Sequence, residues 1–412
     1  MATATGVDAD VGIRWSVAHA TAGSRWWREH FERAGVDPRS VTGTTDLPRL
    51  PFSTKDDLRS SYPLGWAAVP PSQLVRIHAS SGTTGKRTVC AYTARDVDDW
   101  ADQFERCFRT AGVTGEDRVQ VMVGYGLWTA GAGFQSGAER LGAMVVPTGP
   151  GNLDLQLELM LDMQTTVLCA TSSFALMIAE AVEAHGLRGS LALRTGIFGS
   201  ERWGPKMRER IETLLGIDTF DIYGLTELYG PGVGIECGAH DGIHYWSDYY
   251  VIEIVDPESG EQLPPGTRGE IVITTLRKEG MPLIRYRTRD LSHVYADPCD
   301  CGSPYPRIAH LVGRTDDMVK VRGVAVFPAQ VDTILHRVEG VGPEYQLHVR
   351  QDLEHGDVLT VVVEADPLPH LRETLEHHLR EGLSVRPEVE LVPHGTLPRT
   401  ERKATRVFDH RE

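Results

Sequence analysis

The sequence predicts an α/β protein: a large N-terminal domain with a layered, parallel-stranded core and a β-rich subdomain, then a small α+β C-terminal unit. Three observations point there. Apolar runs at Val119–Val123, Ala143–Val146, Val167–Ala170 and Thr195–Phe198 alternate with Asp96–Thr110, Leu153–Met163 and Lys206–Leu215, where apolar residues recur at helical spacing. After Tyr223 the texture changes to short strands joined by turns. Beyond Gly313 strand and helix patterns alternate again over a short stretch.

Taken in order, the first seventy or so residues read as helix and turn, with Trp15, Trp26, Trp27 and Phe31 as apolar anchors ahead of the loop Leu47–Phe52. The apolar runs that follow lack polar alternation, as expected of parallel strands covered on both faces. In the β-rich stretch, strands at Tyr249–Val255 and Glu270–Thr275 flank the turn Asp256–Gly260, and a cysteine-containing loop lies at Pro298–Pro304. The last unit carries helices near Ala329–Val338 and Leu368–Glu381, with strands at Gln346–Arg350, Val358–Glu364 and Glu388–Val392. The expected boundary is at 313/314, giving an N-terminal domain over 1–313 and a C-terminal lid over 314–412.

Composition narrows the function. A chain of 412 residues exceeds one compact core, so two or three units are expected. With 42 basic against 57 acidic residues and a net charge of -15, it lacks the basic excess of a nucleic-acid surface. No run approaches the roughly 18 apolar residues of a membrane span, and Met1–Ala20 lacks the basic start and apolar core of a secretion signal. No membrane partner and a cytoplasmic location are expected. The six cysteines then fit reduced thiols or a metal better than disulfides. Lysine occurs only at Lys55, Lys86, Lys206, Lys278, Lys320 and Lys403, so a lysine inside a motif stands out.

Several short motifs carry chemistry. Ser80-Ser81-Gly82-Thr83-Thr84-Gly85-Lys86 gathers small residues, hydroxyls and one ammonium in a loop able to bring N–H groups and hydroxyls against phosphate oxygens. It is not a P-loop: its glycines are too close together, and Arg87 stands where Ser or Thr should bind magnesium. Alone, such a loop is more often a plain flexible turn. Tyr223-Gly224-Leu225-Thr226-Glu227 offers an aromatic face, a hydroxyl and a carboxylate suited to adenine, phosphate and Mg²⁺. Arg285-Tyr286-Arg287-Thr288-Arg289-Asp290 adds an acceptor for ribose hydroxyls, Gly313-Arg314-Thr315-Asp316-Asp317 an arginine, and Leu397-Pro398-Arg399-Thr400-Glu401-Arg402-Lys403 a lysine.

This ordered set resembles the adenylate-forming superfamily of acyl-CoA synthetases, adenylation domains and luciferases, and within it the phenylacetate–CoA ligase family. The stretches Leu50-Pro51-Phe52-Ser53-Thr54-Lys55, Arg76-Ile77-His78-Ala79-Ser80, Tyr125-Gly126-Leu127 and Val326-Phe327-Pro328 carry the narrower likeness, which spans nearly the whole chain. The resemblance implies the adenylate-forming fold with a mobile C-terminal lid. It makes Ser80 to Lys86 the phosphate loop, Tyr223 the residue stacked on adenine, Thr226 a phosphate contact, Glu227 the Mg²⁺ ligand, and Asp290 and Arg314 the ribose contacts. Asp316 would be the lid's hinge, and Lys403 the lysine bridging carboxylate and α-phosphate. Gly199-Ser200-Glu201 matches the family segment beside adenine, with Arg202 in place of its usual proline.

The family pattern puts the acid pocket at Tyr125-Gly126-Leu127-Trp128 and Gly131 to Phe134. Tyr125, Trp128 and Phe134 could wall an aromatic ring or simply fill the core. Trp128 stands where many relatives have a smaller phenyl ring, and Thr148-Gly149-Pro150-Gly151-Asn152-Leu153 departs from the family's Gly-Gly-Asn-Thr run, so the acid itself stays open. Cys237, His244, Cys299 and Cys301 make a Cys₃His set suited to structural Zn²⁺, with four unrelated loop residues as the alternative. Related ligases resemble this chain in carrying such cysteines.

The expected reaction is ATP-dependent activation of an aromatic carboxylic acid to acyl-AMP and pyrophosphate, then thioester formation with coenzyme A. Alternatives are transfer to a carrier protein or nitrogen nucleophile, an ATP-binding regulator without catalysis, and a zinc-dependent scaffold. The resemblance also favours a homodimer.

Overall fold

The computed structural model of the chain describes residues 8–80, 87–316, 318–352, 356–383, 385–400 and 405–411. Helices α1 (Ala9–Gly23), α2 (Arg25–Arg33) and α3 (Lys55–Ser60) lead to strands β1 (Arg76–Ala79) and β2 (Val89–Tyr92), α4 (Ala94–Thr110), β3 (Arg118–Val121), α5 (Thr129–Leu141) and β4 (Met144–Val146). Then come α6 (Leu153–Asp162), β5 (Val167–Thr171), α7 (Ser172–Ala184), β6 (Thr195–Gly199) and α8 (Pro205–Leu215). Seven strands follow: β7 (Asp218–Leu225), β8 (Gly230–Glu236), β9 (Ile243–Tyr245), β10 (Tyr250–Val255), β11 (Gly269–Thr275), β12 (Tyr286–Ser292) and β13 (Arg307–Ile308). The chain closes with β14 (Gly313–Arg314), β15 (Val319–Val321), β16 (Val324–Val326), α9 (Pro328–His336), β17 (Val341–Asp352), β18 (Gly356–Ala365), α10 (Leu371–Leu383), β19 (Glu388–Val392) and β20 (Val407–Asp409).

The elements form two compact units, one of Met1–Gly149 with Phe220–His310 and one of Pro150–Thr219 with Leu311–Glu412. In the first, Asp8 and Ser24 cap α1 and α2 by accepting from first-turn N–H groups, the usual answer to orphan donors at a helix start. Trp27 and Phe31 are buried, with the Trp66 ring 5.1 Å from that of Trp27. β3 and β4 pair in parallel, as their continuous apolar character predicts. The β-rich part has two antiparallel runs, β10–β11–β12 and β7–β8–β9–β13.

β8 and β9 escape a sequence reading. Gly230-Pro231-Gly232-Val233-Gly234-Ile235-Glu236 has a loop's composition, yet all seven residues are buried in strand. The glycines are needed for close packing: a Cβ on Gly232 would meet the Phe104 ring at 2.5 Å, and one on Gly234 would sit 2.3 Å from the His244 carbonyl oxygen.

In the second unit β5 and β6 pair in parallel, and β19–β18–β17–β20 form a mixed sheet. One apolar core, including Val331, Leu335, Leu347, Val361, Leu375 and Leu379, is formed among the described residues by side chains between Val319 and Val407. α10 buries Leu371, Leu375, Leu379 and Leu383, one side chain per helical turn. Lys206 Nζ donates to the Val338 and Val341 carbonyls at 2.6 and 2.7 Å, and Arg399 bridges Glu180 and Glu364. Among the described residues no helix is long and apolar enough to cross a membrane.

Candidate active site and candidate metal centre

The aromatic motif begins on β7, whose pairing with β8 shifts register between Tyr223 and Leu225. Gly224 permits this, since a Cβ there would lie 1.9 Å from the Gly230 carbonyl oxygen. Tyr223 is buried and its hydroxyl donates to Asp290 Oδ2 at 2.9 Å. Asp290 lies on β12, where its N–H donates to the Thr288 hydroxyl (3.0 Å) and that hydroxyl donates to the Ile271 carbonyl (2.8 Å). Arg285 and Arg289 adopt φ of 43° and 67°, left-handed values uncommon for side chains of this size. They are held by charge: Arg285 pairs with buried Glu253 at 3.0 Å, and the Arg289 N–H donates to Glu270 at 3.0 Å. The proposed adenine and ribose residues are thus hydrogen-bonded to each other.

Beyond β7, two anchors fix the backbone around Glu227. The Tyr92 hydroxyl contacts the Thr226 and Leu228 carbonyls at 3.0 and 3.1 Å, and Lys278 Nζ donates to Leu228 O at 3.1 Å. Glu227 is 3 % exposed, and its Oε1 lies 3.2 Å from Lys55 Nζ. The angle is not that of a hydrogen bond, and Oε1 has no hydrogen-bond partner among the described residues. A buried carboxylate oxygen with unmet bonding capacity suits a hard divalent cation, so this residue fits Mg²⁺.

The Ser80 N–H donates to Thr88 O at 3.0 Å, while the other members of the expected phosphate loop, Ser81, Gly82, Thr83, Thr84, Gly85 and Lys86, lie outside the described residues. Lys403 lies outside them too. In the second unit, Gly199 ends β6, and Ser200 takes a φ of 71° that turns the chain. Glu201 then accepts from the Ser173 N–H at 2.7 Å, at the start of α7. Arg202 uses its non-proline character to pair with Asp332 at 3.1 Å. Arg314 pairs with Asp316 at 2.8 Å.

The proposed acid pocket is split by burial. Tyr125 and Trp128 are half-buried in the turn before α5. Gly131 keeps that turn close: a Cβ there would meet the Gly124 carbonyl at 2.7 Å and the Tyr125 ring at 2.9 Å. Phe134 is buried among the aromatic core of α4, with ring centroids 5.1 Å from Phe104 and 6.0 Å from Phe108.

The cysteine set comes together. β9 pairs with β8 and with β13, bringing Cys237, at the end of β8, and His244 beside the Cys299–Cys301 turn. The four ligand atoms lie within 4.8 Å of one another. Cys237 Sγ is 3.6 Å from Cys299 Sγ, and Cys301 Sγ is 3.3 Å from His244 Nε2. Those spacings exceed a disulfide bond and match the edges of a tetrahedron with Zn–S near 2.3 Å. His244 Nδ1 contacts the Tyr305 carbonyl at 2.8 Å, which orients Nε2 toward the thiols. Burial pushes the Cys237 thiol up to about 12. Burial acts the same way on Cys299, but the Cys301 N–H, His244 and the neighbouring thiols outweigh it and pull that thiol down to about 6.

No motif gives Lys55 or Lys278 a role, although lysine is scarce in this chain. The pairing of Lys55 with Glu227 and the burial of Lys278 between Tyr92 and Tyr229 emerge only from the fold.

Fold and site together define an adenylate-forming enzyme. The chain belongs to the AMP-binding enzyme family: that family's profile matches residues 22–276, and the AMP-binding enzyme C-terminal domain matches residues 323–411. It is 42 % identical over 411 residues to the phenylacetate-coenzyme A ligase of Escherichia coli (strain K12), covering 97 % of this chain and 93 % of that protein. It is 40 % identical to the Pseudomonas putida phenylacetate-coenzyme A ligase, over 97 % and 92 % of the two chains. Among solved structures, 2-hydroxyisobutyryl-CoA ligase in the postadenylation state with 2-HIB-AMP aligns at a TM-score of 0.88, with 28 % identity, over 97 % of this chain and 88 % of that one.

Proposed function

We propose that this protein activates an aromatic carboxylic acid with ATP, releasing pyrophosphate, and passes the acyl group from acyl-AMP to coenzyme A. The observation that carries the reading is identity of 40 % or more to phenylacetate-coenzyme A ligases along nearly the full length of both chains. In the first half-reaction a carboxylate oxygen bonds to the α-phosphorus and pyrophosphate leaves. Two anions must meet, so positive charge in the site lowers the barrier. Tyr223 supplies a face for adenine, and its hydroxyl holds Asp290 ready for the ribose. Thr226 and Ser80 to Lys86 take the phosphates, with Gly199, Ser200 and Glu201 beside the base. Glu227 would hold Mg²⁺, which when bound would offset phosphate charge, and Lys403 would bridge the acid and the α-phosphate.

In the second half-reaction the thiol sulfur bonds to the acyl carbon and AMP leaves. We assign the lid to 314–412, turning at Asp316; the separate core of this stretch supports a unit able to move as one body. Such a turn must release the bonds from Lys206 and from Arg399 to Glu180. Tyr125, Trp128 and Gly131 frame the acid, and Phe134 backs them from the helical core.

We assign structural zinc to Cys237, His244, Cys299 and Cys301, because four protein ligands leave no open position for catalysis. A homodimer, and a cytoplasmic location where ATP and coenzyme A are available, complete the reading. An ATP–pyrophosphate exchange assay over a panel of aryl and arylacetic acids tests it: exchange should depend on an aromatic acid, and exchange equally fast without one contradicts it.

A further inference from the structure

We propose that Lys55 holds the place of the divalent cation at Glu227 when no nucleotide is bound, so that Mg²⁺ reaches this carboxylate only together with ATP. The proposal rests on Glu227 being the magnesium ligand. A carboxylate as buried as Glu227 must be compensated by a cation.

Two lysines lie near it, and they are held differently. Lys278 is fully buried, its ammonium 3.9 Å from the centroid of the Tyr92 ring and 4.2 Å from that of Tyr229, with a hydrogen bond to the Leu228 carbonyl. It is fixed where it stands. Lys55 is 28 % exposed and reaches Glu227 from the first residue of α3 at 3.2 Å. Its backbone is pinned: Thr54 and Asp57 form a capping box, and the Ser53 hydroxyl donates to the Ile284 carbonyl at 2.8 Å. Only the flexible side chain is free to withdraw.

The pairing at Oε1 is electrostatic, without hydrogen-bond alignment, so the lone pair is not consumed by the ammonium. Charge then decides what enters. A bare divalent ion would face the Lys55 ammonium across a single carboxylate, leaving net positive charge in a buried place. A metal arriving on a polyphosphate brings the anions that accept Lys55 as it leaves. Lys55 and free metal thus compete for one carboxylate, so metal binding is weakened by the free energy of displacing the ammonium.

The test titrates the purified full chain with Mn²⁺, read by its electron spin resonance signal, in the absence of nucleotide. Lys55→Met should bind Mn²⁺ about tenfold or more tightly than the parent, and Lys55→Arg, which keeps the charge, should resemble the parent. Lys55→Met should also unfold at lower temperature than the parent and recover on adding Mn²⁺. Should Lys55→Met fail to fold, Lys55→Gln takes its place. Parent protein that binds Mn²⁺ without nucleotide as tightly as Lys55→Met overturns the proposal. In the Lys55→Met background, adding Glu227→Gln separates the role of Lys55 from that of Glu227 as metal ligand. Tight Mn²⁺ binding that survives the loss of Glu227 means that the ligand assignment itself is wrong.

Discussion

Arg399 lies in the same C-terminal stretch as Lys403, shortly before it, and replacing it with methionine perturbs that stretch at a defined point. Its guanidinium donates to Glu364 at 2.9 and 3.0 Å and to Glu180 at 3.1 and 3.1 Å. Glu364 has no exposed side-chain surface. Removing one partner of a buried pair costs about 3–5 kcal/mol, because the remaining charge is left uncompensated. The lower end applies here, since the Leu397 N–H still donates to Glu364 at 2.8 Å. For a unit of this size about 3 kcal/mol lowers Tm by roughly 6–12 °C.

The effect carries a pH signature. Burial pushes Glu364 up, but the Arg399 guanidinium and the Leu397 and Gly395 N–H groups outweigh it and hold the carboxyl below its usual range. A depressed folded value means that Glu364 stabilises the parent above the unfolded carboxyl's titration, near pH 4.3, and that this stability is lost as pH falls through the folded value. In Arg399→Met the buried carboxyl should titrate above its unfolded value, so stability drops as pH rises. Thermal unfolding followed by circular dichroism should therefore show a larger gap between parent and variant at pH 8 than at pH 5. ATP–pyrophosphate exchange should fall as well, because the segment leading to Lys403 loses its anchor. A Tm shift under about 2 °C, or one equal at both pH values, would refute this account of Arg399.

The zinc assignment predicts about one equivalent of metal per chain, lost together with thermal stability in the Cys299→Ser, Cys301→Ser double variant, because structural-site binding energy is folding energy. Metal-free protein of parental stability rejects it. Lys403→Ala should slow acyl-AMP formation by about 4 kcal/mol or more, roughly a thousandfold, yet leave thioester formation from supplied acyl-AMP near the parental rate. Asp316→Pro should do the reverse, since proline fixes φ at the proposed hinge. Equal damage to both half-reactions by Lys403→Ala counts against a turning lid.

Much of the architecture is legible in the sequence because buried parallel strands and amphipathic helices leave distinct patterns: β3 to β6, α4, α6 and α8 lie on the predicted runs. β8 is not, because close backbone packing against Phe104 and His244 selects glycine, the residue that marks loops elsewhere. In the site, motif order identifies Tyr223, Glu227 and Asp290 as residue types but hides what they do to one another. The Tyr223 ring is visible as a stacking face, while its hydroxyl's bond to Asp290 requires β7 and β12 to be folded. Lys55 and Glu227 are far apart in the chain, and no local pattern links them. Cysteine and histidine spacing raises the metal set, but only the β9 pairings bring its two halves together. Phe134 shows the opposite case: an aromatic in a pocket-like run that packs with Phe104 and Phe108 in the helical core.

Product analysis in a single reaction tests the central claim most directly. The protein is incubated with ATP, Mg²⁺, an aromatic acid that supports pyrophosphate exchange, and coenzyme A, and the products are resolved by liquid chromatography with mass detection. One acyl-CoA thioester and one AMP are expected for each ATP consumed, with acyl-AMP building up only when coenzyme A is omitted. Acyl-AMP that persists with coenzyme A present, for every acid that supports exchange, would contradict it and move the acceptor to a carrier protein or nitrogen nucleophile.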